Sequence, residues 1–322
     1  MKSRKRQILE LWRMAFRDTE VFMRLYFNRI YQDENALVIE REGRVISVLQ
    51  MLPYTMSFCG KEITVAYISG ACTLPSEQGK GFMRQLLQEA FVEMQKRNIA
   101  VSALIPASRW LFDYYRSQGY TEVFDYSILN YTRYDFMEPK MDPEMNMAIK
   151  RSLTEDMLYA YFDRKLRERP SCLLHTPEDF SIILKDLKIS GGKLFPAISQ
   201  EGELVGLAFV LPPSKKQMEA GVLVKEILYD DEKIKKKMLL GITRYYNVDK
   251  AICRVPFYND SKAYPFGMAR VIDRERMIAL WMDAHPDSPV TAEEMMAMDI
   301  QTLTSHLFDY ENRTAYMSLM LD

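Results

Sequence analysis

The stretch with the most chemical content is Ala66 to Leu87, AYISGACTLPSEQGKGFMRQLL. An apolar, strand-like run enters a loop with two glycines, and the loop opens a helix. Met83, Leu86, Leu87, Ala90, Phe91 and Met94 follow at steps of three and one, which is the apolar face of an amphipathic helix. The first N–H groups of such a helix have no internal partners, and its dipole is positive at that end, so the segment is suited to hold an anion, above all a phosphate. Gly79 and Gly81 let the backbone approach such a group with no Cβ in the way. It is not a Walker loop, because G-x-x-x-x-G-K-[ST] is missing. Nor does a G-x-G-x-x-G follow the strand, which argues against a dinucleotide fold. Taken alone, the same pattern also describes a plain glycine turn ahead of a core helix.

Other reactive side chains carry less. Cys72 has the atom type of an acyl-accepting nucleophile, but its run is apolar and no histidine is near in sequence, which predicts a buried, inert thiol. Cys59, Cys72, Cys172 and Cys253 contain no C-x-x-C pair, and His175, His285 and His306 have no metal-ligand spacing. A reducing compartment and a metal-free site are therefore expected. The cluster Lys233-Ile-Lys-Lys-Lys237 reads as a solvated helix face.

These residues need a scaffold. Two helices are expected over 3–17 and 19–31, then a hairpin of Ala36–Glu40 and Val45–Tyr54 around Glu42-Gly43, a turn at Cys59-Gly60-Lys61 and a long strand, Ile63–Leu74. After the glycine loop and its helix come a short strand, Ile99–Ile105, a helix, Trp110–Ser117, ended by Gly119, and two strand-like runs within Tyr120–Tyr134. The two prolines in Met137–Pro143 mark a domain boundary. Similar elements then recur: helices near 154–168 and 177–188, a hairpin over Leu194–Leu211, a strand at Val222–Tyr229, a helix at Glu232–Tyr246 and a strand at Lys250–Val255. Thr176-Pro177-Glu178 places a cap, a first-turn proline and an acid in sequence. A short strand, Ala269–Ile272, a helix, Arg274–Ala284, a capping box at Thr291 and Glu294, and a strand-like, packed-looking run from Tyr316 to Asp322 complete the chain.

The chain has 322 residues, enough for two ordinary domains, and is 48% hydrophobic and 27% charged. Its formal charge of −1 offers no strong overall field to a nucleic acid or an anionic membrane. No run approaches the roughly 18 apolar residues of a membrane span. The basic start lacks the apolar core of a signal peptide, since Glu10 and Arg13 interrupt it; Ile8, Leu11, Trp12, Ala15 and Phe16 instead form one face of a docked helix. A cytoplasmic location follows as the expectation, with no nucleic-acid or membrane partner.

Within this pattern, Gln78-x-x-Gly81-x-Met83 resembles the Q/R-x-x-G-x-G/A motif with which GNAT-superfamily N-acetyltransferases bind the pyrophosphate of acetyl-CoA. Methionine stands where the motif has glycine or alanine. At the expected distance, Phe112-Asp-Tyr-Tyr-Arg-Ser-Gln-Gly-Tyr120 is similar to the family's F-Y-x-x-x-G-F signature. Leu11–Phe16, the start of the glycine-loop helix and the repeated halves narrow the resemblance, over residues 1–135 above all, to the enhanced intracellular survival (Eis) family. The resemblance implies an α/β (α+β) chain of two tandem GNAT-like domains, 1–137 and 144–266, each a mixed, mostly antiparallel sheet flanked by helices. A reduced sterol-carrier-like extension, 267–322, would enter at Gly267–Asp273.

The roles it implies are specific. Ala71, Cys72 and Thr73 would line the pantetheine of acetyl-CoA; Gln78, Gly79, Lys80, Gly81, Phe82, Met83 and Arg84 would cradle its pyrophosphate; Ser108 would face the same co-substrate. Tyr115 aligns with the general acid, and a phenol, with a reference pKa near 10, is protonated at neutral pH. The α-carboxylate of Asp322 would be the base, unless another acid or a water chain serves. The acceptor would be a small-molecule amine or a lysine side chain, with no metal involved, and relatives form homo-oligomers. The second half has Asp230-Asp231-Glu232 where the first has its glycine loop, so it should bind no acetyl-CoA and should instead shape the acceptor pocket. Two other readings fit the same fold: a non-catalytic acyl-CoA-binding regulator, and a tandem acyltransferase using an aminoacyl donor, against which the intact glycine loop argues.

Overall fold

A computed structural model describes residues 3–136, 153–213, 221–257 and 261–321. The first half opens with helices α1 (Arg4–Ala15) and α2 (Glu20–Arg29), then strands β1 (Ala36–Arg41), β2 (Arg44–Phe58) and β3 (Lys61–Thr73). Helix α3 (Phe82–Lys96), strand β4 (Val101–Leu104), helix α4 (Arg109–Arg116) and strand β5 (Thr121–Thr132) follow. Both hairpin turns have consecutive residues with positive φ, Glu42 and Gly43 (51° and 73°) and Cys59 and Gly60 (49° and 71°). That backbone twist matches the twist of the paired strands, which explains the tight connections. Ser3 and Thr19 cap the first two helices through their side chains.

The second half contains α5 (Glu155–Arg167), β6 (Ser171–Leu174), α6 (Pro177–Ile189), β7 (Lys193–Ile198), β8 (Leu204–Leu211), β9 (Val222–Tyr229), α7 (Glu232–Tyr246), β10 (Lys250–Pro256) and β11 (Ala263–Val271). Helices α8 (Arg274–Ala284), α9 (Ala292–Ala297) and α10 (Ile300–Leu307) and the two-residue β12 (Ala315–Tyr316) close it. Thr176 and Thr291 both make capping boxes, with Asp179 and Glu294 as third-position acids. No helix among the described residues is long and apolar enough to cross a membrane.

The described strands form one mixed sheet in the order β12-β6-β2-β3-β4-β11-β5-β10-β9-β8-β7, with β1 pairing the start of β2 on the edge that β6 pairs further along. The expected similarity of the halves appears in two parallel pairs, β3 with β4 and β9 with β10. The join between them is the unexpected part. Residues 121–132 form one strand, not two, and its ends serve different neighbours: Thr121 to Ser127 pair with β11, while Tyr126 to Thr132 pair with β10. β11 in turn lies between β4 and β5, antiparallel to both, so a strand from late in the chain completes the sheet of the first half. It spans the 266/267 position. The boundary segment 137–143 lies outside the described residues.

β3 pairs with β4 only from Val65 to Tyr67. Past that point β3 runs on beside β2 alone, and the sheet opens. The register against β2 also slips there, Val48 facing Cys72 but Gln50 facing Ser69, so Gly70 and Ala71 contribute an extra residue to β3. Gly70 has φ +60°, and a Cβ on it would lie 2.2 Å from Cζ3 of Trp12. The indole therefore rests on bare backbone. Gly70→Ala should cost about 1–3 kcal/mol in urea unfolding and displace Trp12; a midpoint equal to that of the unmodified protein would show the bulge to be pliable.

The end of the chain is tied down by polar contacts more than by pairing. The run after Tyr316 reads as a strand in sequence, yet only Ala315 and Tyr316 pair with β6. Ser318 Oγ then donates to Glu226 Oε2 at 2.6 Å, and His175 Nε2 contacts the Ser318 carbonyl oxygen at 2.7 Å. Glu226 is fully buried and accepts from both terminal nitrogens of Arg169 at 3.1 and 3.2 Å. That guanidinium lies 4.6 Å from the centre of the Tyr316 ring.

Candidate active site

Two cavities open where β3 and β4 diverge. The first, about 730 Å³, is lined by α1, the end of β3, the glycine loop, the start of α3 and one face of α4. Ala71, Cys72, Thr73, Gln78, Gly79, Gly81, Phe82, Met83, Arg84, Ser108 and Tyr115 all line it. Lys80 is not on that wall, and its ammonium binds Glu77, which is, at 3.1 Å. Met14, Ala15 and Phe16 at the end of α1, with Trp110 and Leu111, also line this cavity without having been read from the sequence. Of these, only Ala15 and Phe16 carried a signal, as part of the docked helix face.

The glycine loop leaves the start of α3 open. Gly81 is the N-cap with φ +87° and has no side chain to bond the first amides. A Cβ at Gly79 or Gly81 would meet nothing within 4 Å, so it is the positive φ at each, not crowding, that favours glycine. Gln78 Nε2 donates to the Thr73 carbonyl at 3.2 Å and ties the loop to the strand. Glu77 is the acid nearest the loop; Lys80 at 3.1 Å and Arg41 at 3.8 Å offset its charge. The matching helix of the second half differs in the same place. The N-cap of α7 is Asp231, whose carboxylate accepts from the Ile234 amide at 2.8 Å, so that helix start is already filled by an anion.

The second cavity, about 550 Å³, lies on the other side of the divergence. Trp12, Asp18 and Phe22 line it from the first two helices and the loop between them, and Ser69 and Gly70 from β3. Tyr126, Arg254, Phe266 and Leu321 come from β5 and beyond. The sequence led to an acceptor pocket shaped by the second half but named none of Arg254, Phe266 and Leu321, because only the strand exchange at β5 and β11 brings them here. Phe16, Ala71, Ala107, Leu111 and Tyr115 line both cavities and so mark where they meet.

Tyr115 sits at that junction. It is 7% exposed, and burial, with smaller effects from Tyr114 and Cys72, holds its pKa well above the ordinary phenol value. Its neighbour Tyr120 is spent structurally, bonding Ser102 Oγ at 2.7 Å. Tyr114 is half-buried, and burial raises its pKa against the opposing charge of Arg84. Burial pushes the Cys72 thiol up to about 12, so it is protonated and a poor nucleophile at neutral pH, as its apolar run predicts. Asp322 lies outside the described residues, while Leu321 before it lines the second cavity. Among the described residues no three His, Cys, Asp or Glu side chains are grouped to hold a metal ion. The lysine cluster of α7 is not all solvated: Lys235 is tucked against Tyr229 and Tyr131, with its ammonium 2.9 Å from Glu232 Oε1.

Residues 2–123 match the family model of the acetyltransferase (GNAT) domain. A probable N-acyltransferase of unknown function from Enterococcus faecalis V583 has a similar fold, with TM-score 0.68 and 15% identity over 83% of this chain and 70% of that one. Eis1 from Mycobacterium abscessus aligns with TM-score 0.66 and 13% identity over 87% and 74% of the two chains. A GCN5-related N-acetyltransferase from Kribbella flavida aligns with TM-score 0.65 and 14% identity over 85% and 70%. No curated protein matches the chain by sequence.

Proposed function

We propose that this chain, a GNAT acetyltransferase by the domain in its residues 2–123, moves acetyl from acetyl-CoA to a primary amine by direct attack in a ternary complex. The observation that carries the reading is the meeting of two cavities at Tyr115 and Ala71, one of them ending at an uncapped helix start. The amides of Phe82, Met83 and Arg84 with the loop glycines suit a pyrophosphate, and the walls at Ala71, Cys72, Thr73 and Ser108 suit a pantetheine arm. The amine would arrive through the second cavity. Its nitrogen attacks the thioester carbonyl, the carbon–sulfur bond breaks, and the departing thiolate takes a proton.

Tyr115 is the donor of that proton. Its raised pKa keeps the phenol protonated across the neutral and mildly alkaline range, so a hydrogen-bond donor is always present at the junction. The attacking amine must lose a proton, and the C-terminal carboxylate of Asp322 is proposed as its acceptor; the placement of Leu321 on the acceptor cavity supports this. The second half binds no acetyl-CoA in this reading, since Asp231 occupies the equivalent helix start.

Titration of the purified protein by calorimetry tests the donor site. Acetyl-CoA is expected to bind at one site per chain, and dephosphorylated pantetheine far more weakly, because it lacks the pyrophosphate. Equal affinities would mean the glycine loop is only a turn. Binding of acetyl-CoA with no acetylation of any amine in a broad screen would favour the non-catalytic regulator instead.

A further inference from the structure

Arg254, on β10, is held in an unusual way for a residue that lines a cavity. Its guanidinium carbon lies 4.8 Å from the centre of the Tyr126 ring and 4.8 Å from that of Phe266. Those two rings meet edge to face, 5.5 Å apart. All three residues line the acceptor cavity, and no carboxylate among the described residues pairs with Arg254. Other arginines at the junction of the halves are satisfied: Arg169 by Glu226, Arg313 by Asp125. A guanidinium stacked on aromatic faces keeps its planar fork in one orientation while its N–H edge remains available, and that fork matches a carboxylate.

The opposite wall carries a charge of each sign, Arg17 and Asp18. Asp18 lines the same cavity from the loop after α1, where its carboxylate accepts from the Trp12 indole N–H at 2.7 Å. Trp12 lies on Gly70 of β3, whereas Tyr126 and Phe266 belong to β5 and β11. The cavity therefore presents Arg17 and Asp18 from the loop between the first two helices, Arg254 from β10, and largely apolar surface besides.

We propose that Arg254 makes the acceptor cavity select amines that carry a carboxylate several bonds away, the carboxylate on Arg254 and the amine directed to Tyr115 and Ala71. This rests on the transferase reading above and adds the class of acceptor. Asp18 draws the ammonium group inward. Neither residue takes part in bond making; Arg254 sets which amine is retained.

The test compares ω-amino carboxylates, with two to eight methylenes, against n-alkylamines of equal length, using kcat/KM for acetylation. At the best length the carboxylate is expected to raise kcat/KM by about tenfold to a hundredfold, the usual worth of a hydrogen-bonded charge. Arg254→Met should erase that gain, bringing the ω-amino carboxylates down to the alkylamines of equal length, and Arg254→Lys should retain only part of it. Should neither series turn over, the same comparison is read as binding to protein loaded with coenzyme A. Alkylamines equal to or better than their partners at every length would overturn the inference, and so would an Arg254→Met variant that weakens both series alike. Acetyl-CoA binding, measured beside it, separates the two ideas: its loss removes the transferase reading, whereas intact donor binding with no preference for the carboxylate removes only the role of Arg254.

Discussion

Replacing Tyr115 with phenylalanine should lower kcat for acetyl transfer by about 10²–10⁴-fold, the usual contribution of a positioned general acid, and leave acetyl-CoA affinity nearly unchanged. The hydroxyl is the one atom lost. The ring keeps its packing on Tyr114 and Tyr120, whose centres are 5.3 and 5.8 Å away, so the helix and the cavity wall should survive. The pH dependence carries a sign that can be checked. Burial raises the phenol pKa, so the protonated form that donates is retained beyond the ordinary phenol range near 10. Any alkaline fall in rate below that range must then come from another group, and the phenylalanine variant should keep the acidic limb of the profile. Stopped-flow or steady-state rates with calorimetric binding decide the matter. A variant with the rate of the unmodified protein would remove Tyr115 from the mechanism.

Glu226→Ala should destabilise the protein by about 3–5 kcal/mol, measured as a shift of the urea midpoint. The side chain is fully buried and takes four contacts: two from Arg169, one from Ser318 Oγ and one from the Ile227 amide at 3.1 Å. Removing it leaves a buried guanidinium with no counter-charge, which costs far more than the pair contributes. Replacing both members with methionine should recover most of the loss for the same reason. The effect should also be local to the end of the chain, because Ser318 loses its acceptor; acetyl-CoA affinity should be unchanged, since residues 14–115 alone line the donor cavity. A loss below about 1 kcal/mol, the ordinary worth of an exposed pair, would show that the tail is not held through Glu226.

Much of the local structure was readable because its causes are local. The amphipathic face of α3 comes from residue spacing, and Leu86, Leu87, Ala90, Phe91 and Met94 are the residues that it buries. Both hairpin turns follow from a glycine placed after a residue that tolerates positive φ. Thr176 and Thr291 start their helices because an acid three residues on closes the capping box. The donor loop belongs to the same class. Its strand, glycines and helix are contiguous in sequence, and the unpartnered first N–H groups of that helix are what suggested an anion site there.

The acceptor side was not readable, for an equally physical reason. Hydrophobic periodicity states which face of a strand is buried but not which strand lies beside it. Residues 121–132 looked like two runs and are one strand shared between two neighbours, and the run ending the chain looked like a strand yet pairs over two residues. Lys235 looked solvated as part of a charge run, although Tyr131 and Tyr229 come from other strands to cover it. What the amino-acid order determined by itself is the proposed donor side: a helix start behind two glycines with no capping side chain, and Tyr115 on the helix after the next strand. What only the tertiary structure decided is the second cavity and its charges. Arg254, Phe266 and Leu321 line one cavity with Tyr115 because β11 inserts between β4 and β5, and strand insertion is a long-range choice settled by whole-sheet packing.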